Sequence, residues 1–172
     1  MRETPTVVEK HLFALIGFPL AHSFSERYFK AKFEKEGIKD TGFTSFSFEN
    51  IDRINDIIKG HPNLEGFAIT IPHKKSILPF LDKVTDEVKL MGACNCVRIQ
   101  DGKLCGFNTD VVGFELSFIK KLQPHHTKAL ILGGGGAAAA VAFVLRKLHI
   151  DYCFVSRTPN KENSVWYLVN GP

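Results

Sequence analysis

Four glycines followed by four alanines, "GGGGAAAA" at Gly133–Ala140, sit where a strand-like run gives way to a helix-like one. The spacing Gly133-x-Gly135-x-x-Ala138 meets the dinucleotide-binding pattern, which carries chemical meaning only in that strand-to-helix context. Glycine permits the tight turn and removes the Cβ that would keep a pyrophosphate from the backbone, while free N–H groups and the helix dipole attract the anion. Gly133, Gly134, Gly135, Gly136, Ala137 and Ala138 are therefore candidate cofactor-binding residues. The same small residues also suit a tight turn chosen only for packing. The next strand shifts the balance, because it ends in Ser156-Arg157-Thr158 with no acid before Glu162. An acid there would hold a ribose 2′-hydroxyl, whereas a guanidinium forks onto a 2′-phosphate and flanking hydroxyls add hydrogen bonds. The expected cofactor is NADP, with Ser156, Arg157 and Thr158 at its phosphate; an ordinary surface arginine is the plainer alternative.

Four further polar clusters fall at strand ends or loop entries, where open α/β folds bind ligands: Ser23 with Ser25, Thr70 with Lys74, Asn95, and Asn108 with Asp110. Hydroxyls at a helix start can receive a carboxylate or phosphate, so "HSFS" suits an acidic substrate; plain helix capping explains it equally well. Lys75 beside Lys74 leaves the register of a functional lysine open, and a solvated helix lysine is the simpler reading of either.

The elements that must position these groups are legible from periodicity. "HLFALI" (His11–Ile16) reads as a buried strand entering a loop. A helix with Ser25 as N-cap then carries Phe29 and Phe33 on one face and stops near Gly37. "TSFSF" (Thr44–Phe48) alternates as a strand, and Ile51, Ile54, Ile57 and Ile58 recur at helical spacing after the capping Asn50. "GFAITI" (Gly66–Ile71) is a further strand, Thr85 suits an N-cap, and Asp101-Gly102 between two short β-like runs signals a hairpin. A linking helix over Val111–Gln123 follows. "KALIL", the glycine turn, a helix over Ala137–Leu148 and "DYCFVS" complete a βαβ unit. The fold class is α/β: an N-terminal domain with a mixed sheet over residues 1–110, a linker at 111–123, and a Rossmann-type NADP-binding unit at 124–172.

At 172 residues, 44% hydrophobic and 23% charged, the chain is of globular composition. Its net charge of +4 is spread among acids, so neither a nucleic-acid stripe nor a polybasic membrane anchor is expected, and an anionic small molecule fits better. No apolar run is long enough to span a bilayer, and the N-terminus lacks a secretory pattern, so a cytoplasmic location is expected. Cys94, Cys96, Cys105 and Cys153 lack zinc spacing and read as small core residues of a reducing compartment; no metal is expected. His125-His126, after Pro124, reads as a solvated connector.

The motifs "FPLAHSFS", "GFAITIPHK", "GACNCV", "GFNTDVVGF", "LGGGGAA" and "SRT", in order between Leu12 and Thr158, resemble the shikimate dehydrogenase family. The resemblance implies an NADP-dependent oxidoreductase that reversibly reduces 3-dehydroshikimate to shikimate on the aromatic amino-acid and chorismate route, working in a cleft between two domains. It implies that Ser23, Ser25 and Thr70 hold the substrate carboxylate, Asn95 binds substrate hydroxyls, and Lys74, rather than Lys75, forms the catalytic pair with Asp110. Two residues depart from the pattern. Glu26 follows "HSFS" where proline is usual, and Ala68 replaces an asparagine, which removes an amide from the expected substrate wall. After Pro159 no further helix or strand is legible, whereas the family runs on, so a truncated cofactor domain is expected. The competing readings are a non-catalytic fragment that keeps substrate binding, and an NAD-dependent quinate/shikimate dehydrogenase. The lack of an acid directly after Arg157 counts against the latter.

Overall fold

A computed structural model of the chain describes residues 9–155 and 165–166. The first sheet grows from β1 (His11–Gly17), whose apolar residues alternate between two covered faces. After it come α1 (Ser25–Lys35), β2 (Thr41–Ser47), a short 3₁₀ turn and α2 (Ile54–Gly60), and then β3 (Leu64–Ile69). The next elements are α3 (His73–Ser76), β4 (Lys83–Val84), α4 (Asp86–Met91), β5 (Cys96–Gln100) and β6 (Lys103–Phe107). Their strand order is β2-β1-β3-β5-β6-β4. β1 runs parallel to β2 and β3, β5 runs antiparallel to both β3 and β6, and β4 is parallel to β6, which makes the sheet mixed as expected.

Leu12, Ala14, Ile16, Phe67, Ile69 and Val97 pack with Ile51, Ile54, Ile77 and Val88 in the main core. Fully buried side chains such as Ile16, Ile54 and Ile77 each contribute roughly 1.5–3 kcal/mol of burial free energy. α1 packs on β2 through stacked Phe29 and Phe43, 4.5 Å between ring centres. The hairpin falls where Asp101-Gly102 required it, with φ of 53° and 70° at the two turn residues.

A second, parallel sheet follows α5 (Thr109–Ile119). It comprises β7 (Lys128–Leu132), α6 (Gly136–Lys147), β8 (Asp151–Val155) and β9 (Val165–Trp166), in the order β7-β8-β9. This is a Rossmann-type βαβ arrangement. Three expectations need correction. α5 starts at Thr109, not Val111, because Asn108 caps it by accepting from the Asp110 N–H. It ends at Ile119, short of Gln123. A short strand, β9, pairs with β8 although no strand is legible after Pro159; two residues are too few to show a period.

The alanine run divides its contacts. Ala142 and Leu145 pack with Ile131, while Ala140 and Val144 pack with Val111 of α5, so the small face serves a helix as well as the sheet. Leu130 and Leu132, on the opposite face of β7, are 68% and 75% exposed.

Candidate active site

Strand direction gathers the polar clusters at one sheet edge. β1 and β3 end there, antiparallel β5 begins there, and β6 returns to it, with Leu15 opposite Ala68, Ala68 opposite Cys96, and Cys96 opposite Phe107. Backbone bonds carry the sheet past its formal ends. Thr70 N–H donates to Ile16 O at 2.9 Å, Ile69 N–H to Asn95 O at 2.8 Å, and Asn95 N–H to Phe107 O at 3.1 Å. Thr70, Asn95 and Asn108 are thereby set along one line.

Beyond that edge Lys74 Nζ donates to Asp110 Oδ2 at 2.6 Å, across 36 residues of sequence. Their side chains are 16% and 35% exposed, so the pair is sheltered yet reachable. Both partners are held from behind. Lys74 O accepts from Cys94 N–H at 2.8 Å. The neighbouring His73, 2% exposed, is bonded through Nε2 to Phe48 O at 2.7 Å and lies over the Phe48 ring. Asn108, also buried, donates from Nδ2 to Ala93 O at 3.0 Å and accepts from Asp110 N–H at 3.1 Å. Lys75 is exposed and makes no comparable contact among the described residues. Tertiary placement, not local pattern, separates the two lysines.

Asn95 is tied to Thr109. Its Oδ1 accepts from Thr109 N–H at 2.8 Å, and its amide nitrogen lies 3.0 Å from Thr109 Oγ1. Thr109 and His73 escape the sequence reading. Each adjoins a residue singled out, and only the adjacency signals it.

Ser23 on the β1 exit loop and Ser25, the first residue of α1, are half-buried. Ser25 is not the N-cap of α1: Phe24 already has helical angles, φ −83° and ψ −22°, and Ser23 Oγ accepts from Ser25 N–H at 3.3 Å. The N-cap position is therefore Phe24, one residue earlier than local pattern indicates, and it makes no side-chain cap bond. Glu26 occupies the first turn as expected. Ala68 lines an apolar recess of about 370 Å³ with Phe13, Phe29, Phe33 and Phe43. The thiols of Cys94 and Cys96 are pushed up by burial, which disfavours the nucleophilic thiolate.

The glycine tract forms the opposite wall. Gly133 has φ +101°, a conformation that favours glycine, and its N–H donates to Val155 O at 2.8 Å. At Gly133, Gly134 and Gly135 an added Cβ would meet nothing within 4 Å among the described residues. α6 opens at Gly136 behind a Gly135 cap that offers no side chain, so its first amides have an open approach, as a pyrophosphate receptor needs. Ala137 is exposed, whereas Ala138 packs toward the β7 core. Gly136 abuts Lys74: a Cβ there would lie 2.9 Å from Lys74 Cδ. Ser156, Arg157 and Thr158 lie outside the described residues.

The class defined by these features is an α/β protein whose mixed sheet presents a lysine–aspartate pair to the glycine-lined opening of a parallel βαβ unit. Residues 15–97 match the model of the shikimate dehydrogenase substrate binding domain. A shikimate dehydrogenase (NADP(+)) of Staphylococcus aureus (strain Newman) is 41% identical over 138 residues, 78% of this chain and 51% of the relative. Shikimate dehydrogenase 1 of Peptoclostridium difficile superposes with a TM-score of 0.79 at 27% identity, over 91% of this chain and 60% of that one. Shikimate 5-dehydrogenase of Thermus thermophilus, solved in complex with NADP(H) and shikimate, gives a TM-score of 0.74 at 32% identity, over 87% and 57%. Residues 15–97 thus carry the pattern of that substrate binding domain, and the chain is similar to shikimate dehydrogenases in both sequence and fold. It spans about half the length of the curated relatives it matches, 51% of the Staphylococcus protein.

Proposed function

We propose that this chain carries the substrate-binding and catalytic half of an NADP-dependent shikimate dehydrogenase, which interconverts 3-dehydroshikimate and shikimate. The observation that carries the reading is the Lys74–Asp110 pair set against Gly136, where the glycine-opened helix begins. The proposed units are residues 1–110 for substrate and catalysis, 111–123 as a link and 124–172 for the cofactor, in a cytoplasmic protein whose partner is a small carboxylate.

The open glycines fit a dinucleotide phosphate, since any side chain at Gly133 to Gly135 would project into the space it needs. Gly133 to Gly136, Ala137 and Ala138 would hold the diphosphate, and Ser156, Arg157 and Thr158 the 2′-phosphate. When bound, NADPH supplies the hydride. As negative charge grows on the substrate C3 oxygen, the Lys74 ammonium stabilises it and delivers the proton. Asp110 orients that ammonium and the product hydroxyl. Ser23, Ser25 and Thr70 anchor the carboxylate, and Asn95 reads ring hydroxyls, its amide steadied by Thr109.

The test is to purify residues 1–172 and follow NADPH formation with shikimate, with NAD and quinate as controls. Shikimate- and NADP-dependent turnover that Lys74→Ala abolishes is the expected result. Calorimetric binding of shikimate without turnover would assign substrate binding alone to this chain, and preference for NAD with quinate would overturn the cofactor assignment.

A further inference from the structure

The fourth glycine differs from the first three. At Gly133, Gly134 and Gly135 a side chain would meet none of the described residues, but at Gly136 a Cβ would stand 2.9 Å from Lys74 Cδ and 3.2 Å from Lys74 Cβ. The first distance is shorter than packed carbon atoms tolerate, and the second is tight but met by a small shift. The backbone supplies no other reason for glycine here. Gly136 is the first residue of α6, without a positive φ, where alanine has the higher helix propensity.

Lys74 reaches Asp110 by passing its methylenes across this first residue of α6. A methyl at position 136 has two ways to be accommodated. Either α6 recedes, opening the seam of Val111, Ala140 and Val144, or the Lys74 chain swings and its ammonium leaves Asp110. A flexible side chain yields more cheaply than a packed helix seam. We infer that Gly136 is a positioning residue: its missing side chain seats Lys74 against Asp110 and couples that pair to the mouth of the glycine cradle.

The catalytic meaning of this inference rests on the role proposed for Lys74; its geometry rests on the contact alone. The experiment compares wild type, Gly136→Ala and Gly135→Ala in the 172-residue chain. Acetylation by acetic anhydride is read at Lys74 relative to exposed Lys75 by peptide mass spectrometry, beside thermal melting and shikimate kinetics. Gly136→Ala is expected to raise the Lys74:Lys75 ratio roughly tenfold, as loss of a charge-assisted hydrogen bond would. Its melting temperature should stay unchanged or rise, and kcat should fall while the shikimate KM holds. Gly135→Ala should leave the ratio unchanged and raise the dinucleotide KM. An unchanged ratio in folded Gly136→Ala overturns the inference. Should that variant fail to fold, adding Lys74→Ala removes the clashing Cδ and should restore melting; a double variant that stays unfolded overturns it as well. If wild type does not turn over shikimate, the functional reading fails and the labelling ratio still decides the role of Gly136.

Discussion

The mixed-sheet edge and the glycine cradle face each other but are built on opposite principles. At the sheet edge the buried polar side chains are already bonded: His73 to Phe48 O, Asn108 to Ala93 O and Asp110 N–H, Asn95 to Thr109. No buried side-chain nitrogen or oxygen among the described residues lacks a partner. In the cradle three consecutive glycines border space left open by the described residues, and the helix behind them begins without a side-chain cap. The first region is organised by its own hydrogen bonds, and the second leaves open backbone amides that suit an anion. Preorganised donors act without reorganisation at the moment of reaction, whereas a backbone receptor needs room above all. Lys74 belongs to the first region and touches the second, which makes it the group through which the two are linked.

The contrast is broken most severely at that lysine. Lys74→Ala should lower kcat roughly a hundred- to ten-thousand-fold, the range for loss of a general acid, with little change in shikimate KM; steady-state kinetics reads the split. Near-normal turnover would remove Lys74 from the chemistry. Next, Asn108→Ala strips Ala93 O of its buried donor and α5 of its cap. It should cost about 1–3 kcal/mol, read by denaturant unfolding. An unchanged midpoint would mean that the sheet edge is not locked as described.

In the cradle the expectation reverses. Gly134→Ala should change stability by no more than about 0.5 kcal/mol yet weaken NADP binding by calorimetry, since its methyl enters space left open by the described residues. The smallest effect belongs to a surface pair on α1. Lys30 donates to Glu26 at 2.7 Å, and this bond, with a further one from Ser45, holds the Glu26 carboxyl below its ordinary range. Glu26→Gln should cost about 0.3–0.5 kcal/mol at neutral pH, as exposed i,i+4 pairs do. A depressed carboxyl stabilises the fold above the unfolded-state pKa and loses that contribution as pH falls through the folded one. Wild type and Glu26→Gln should therefore converge in melting temperature under acid, and a gap that persists there would assign the effect to packing.

Local chemistry is well recorded in the chain. Asn50 caps its turn through Asp52 N–H and Thr85 caps α4 through Val88 N–H, as their side chains foretell. β7 covers "KALIL" residue for residue. The misses arise where neighbours compete or distance intervenes. Phe24 rather than Ser25 ends the loop before α1, because Ser23 one residue earlier already offers the oxygen. β9 exists only through pairing with β8, which no two-residue pattern can announce.

The sequence by itself determined which of the longer segments become strands and helices, where the glycine turn opens α6, and which polar residues fall at the strand ends. Those properties follow from periodicity, capping and backbone freedom within a few residues. Only the tertiary structure decided that Lys74 and not Lys75 meets Asp110, that Asn95 leans on Thr109, and that Gly136 faces a lysine while its three neighbours face open space. These depend on sheet register and helix packing between segments dozens of residues apart, where one residue of slip would turn each side chain away.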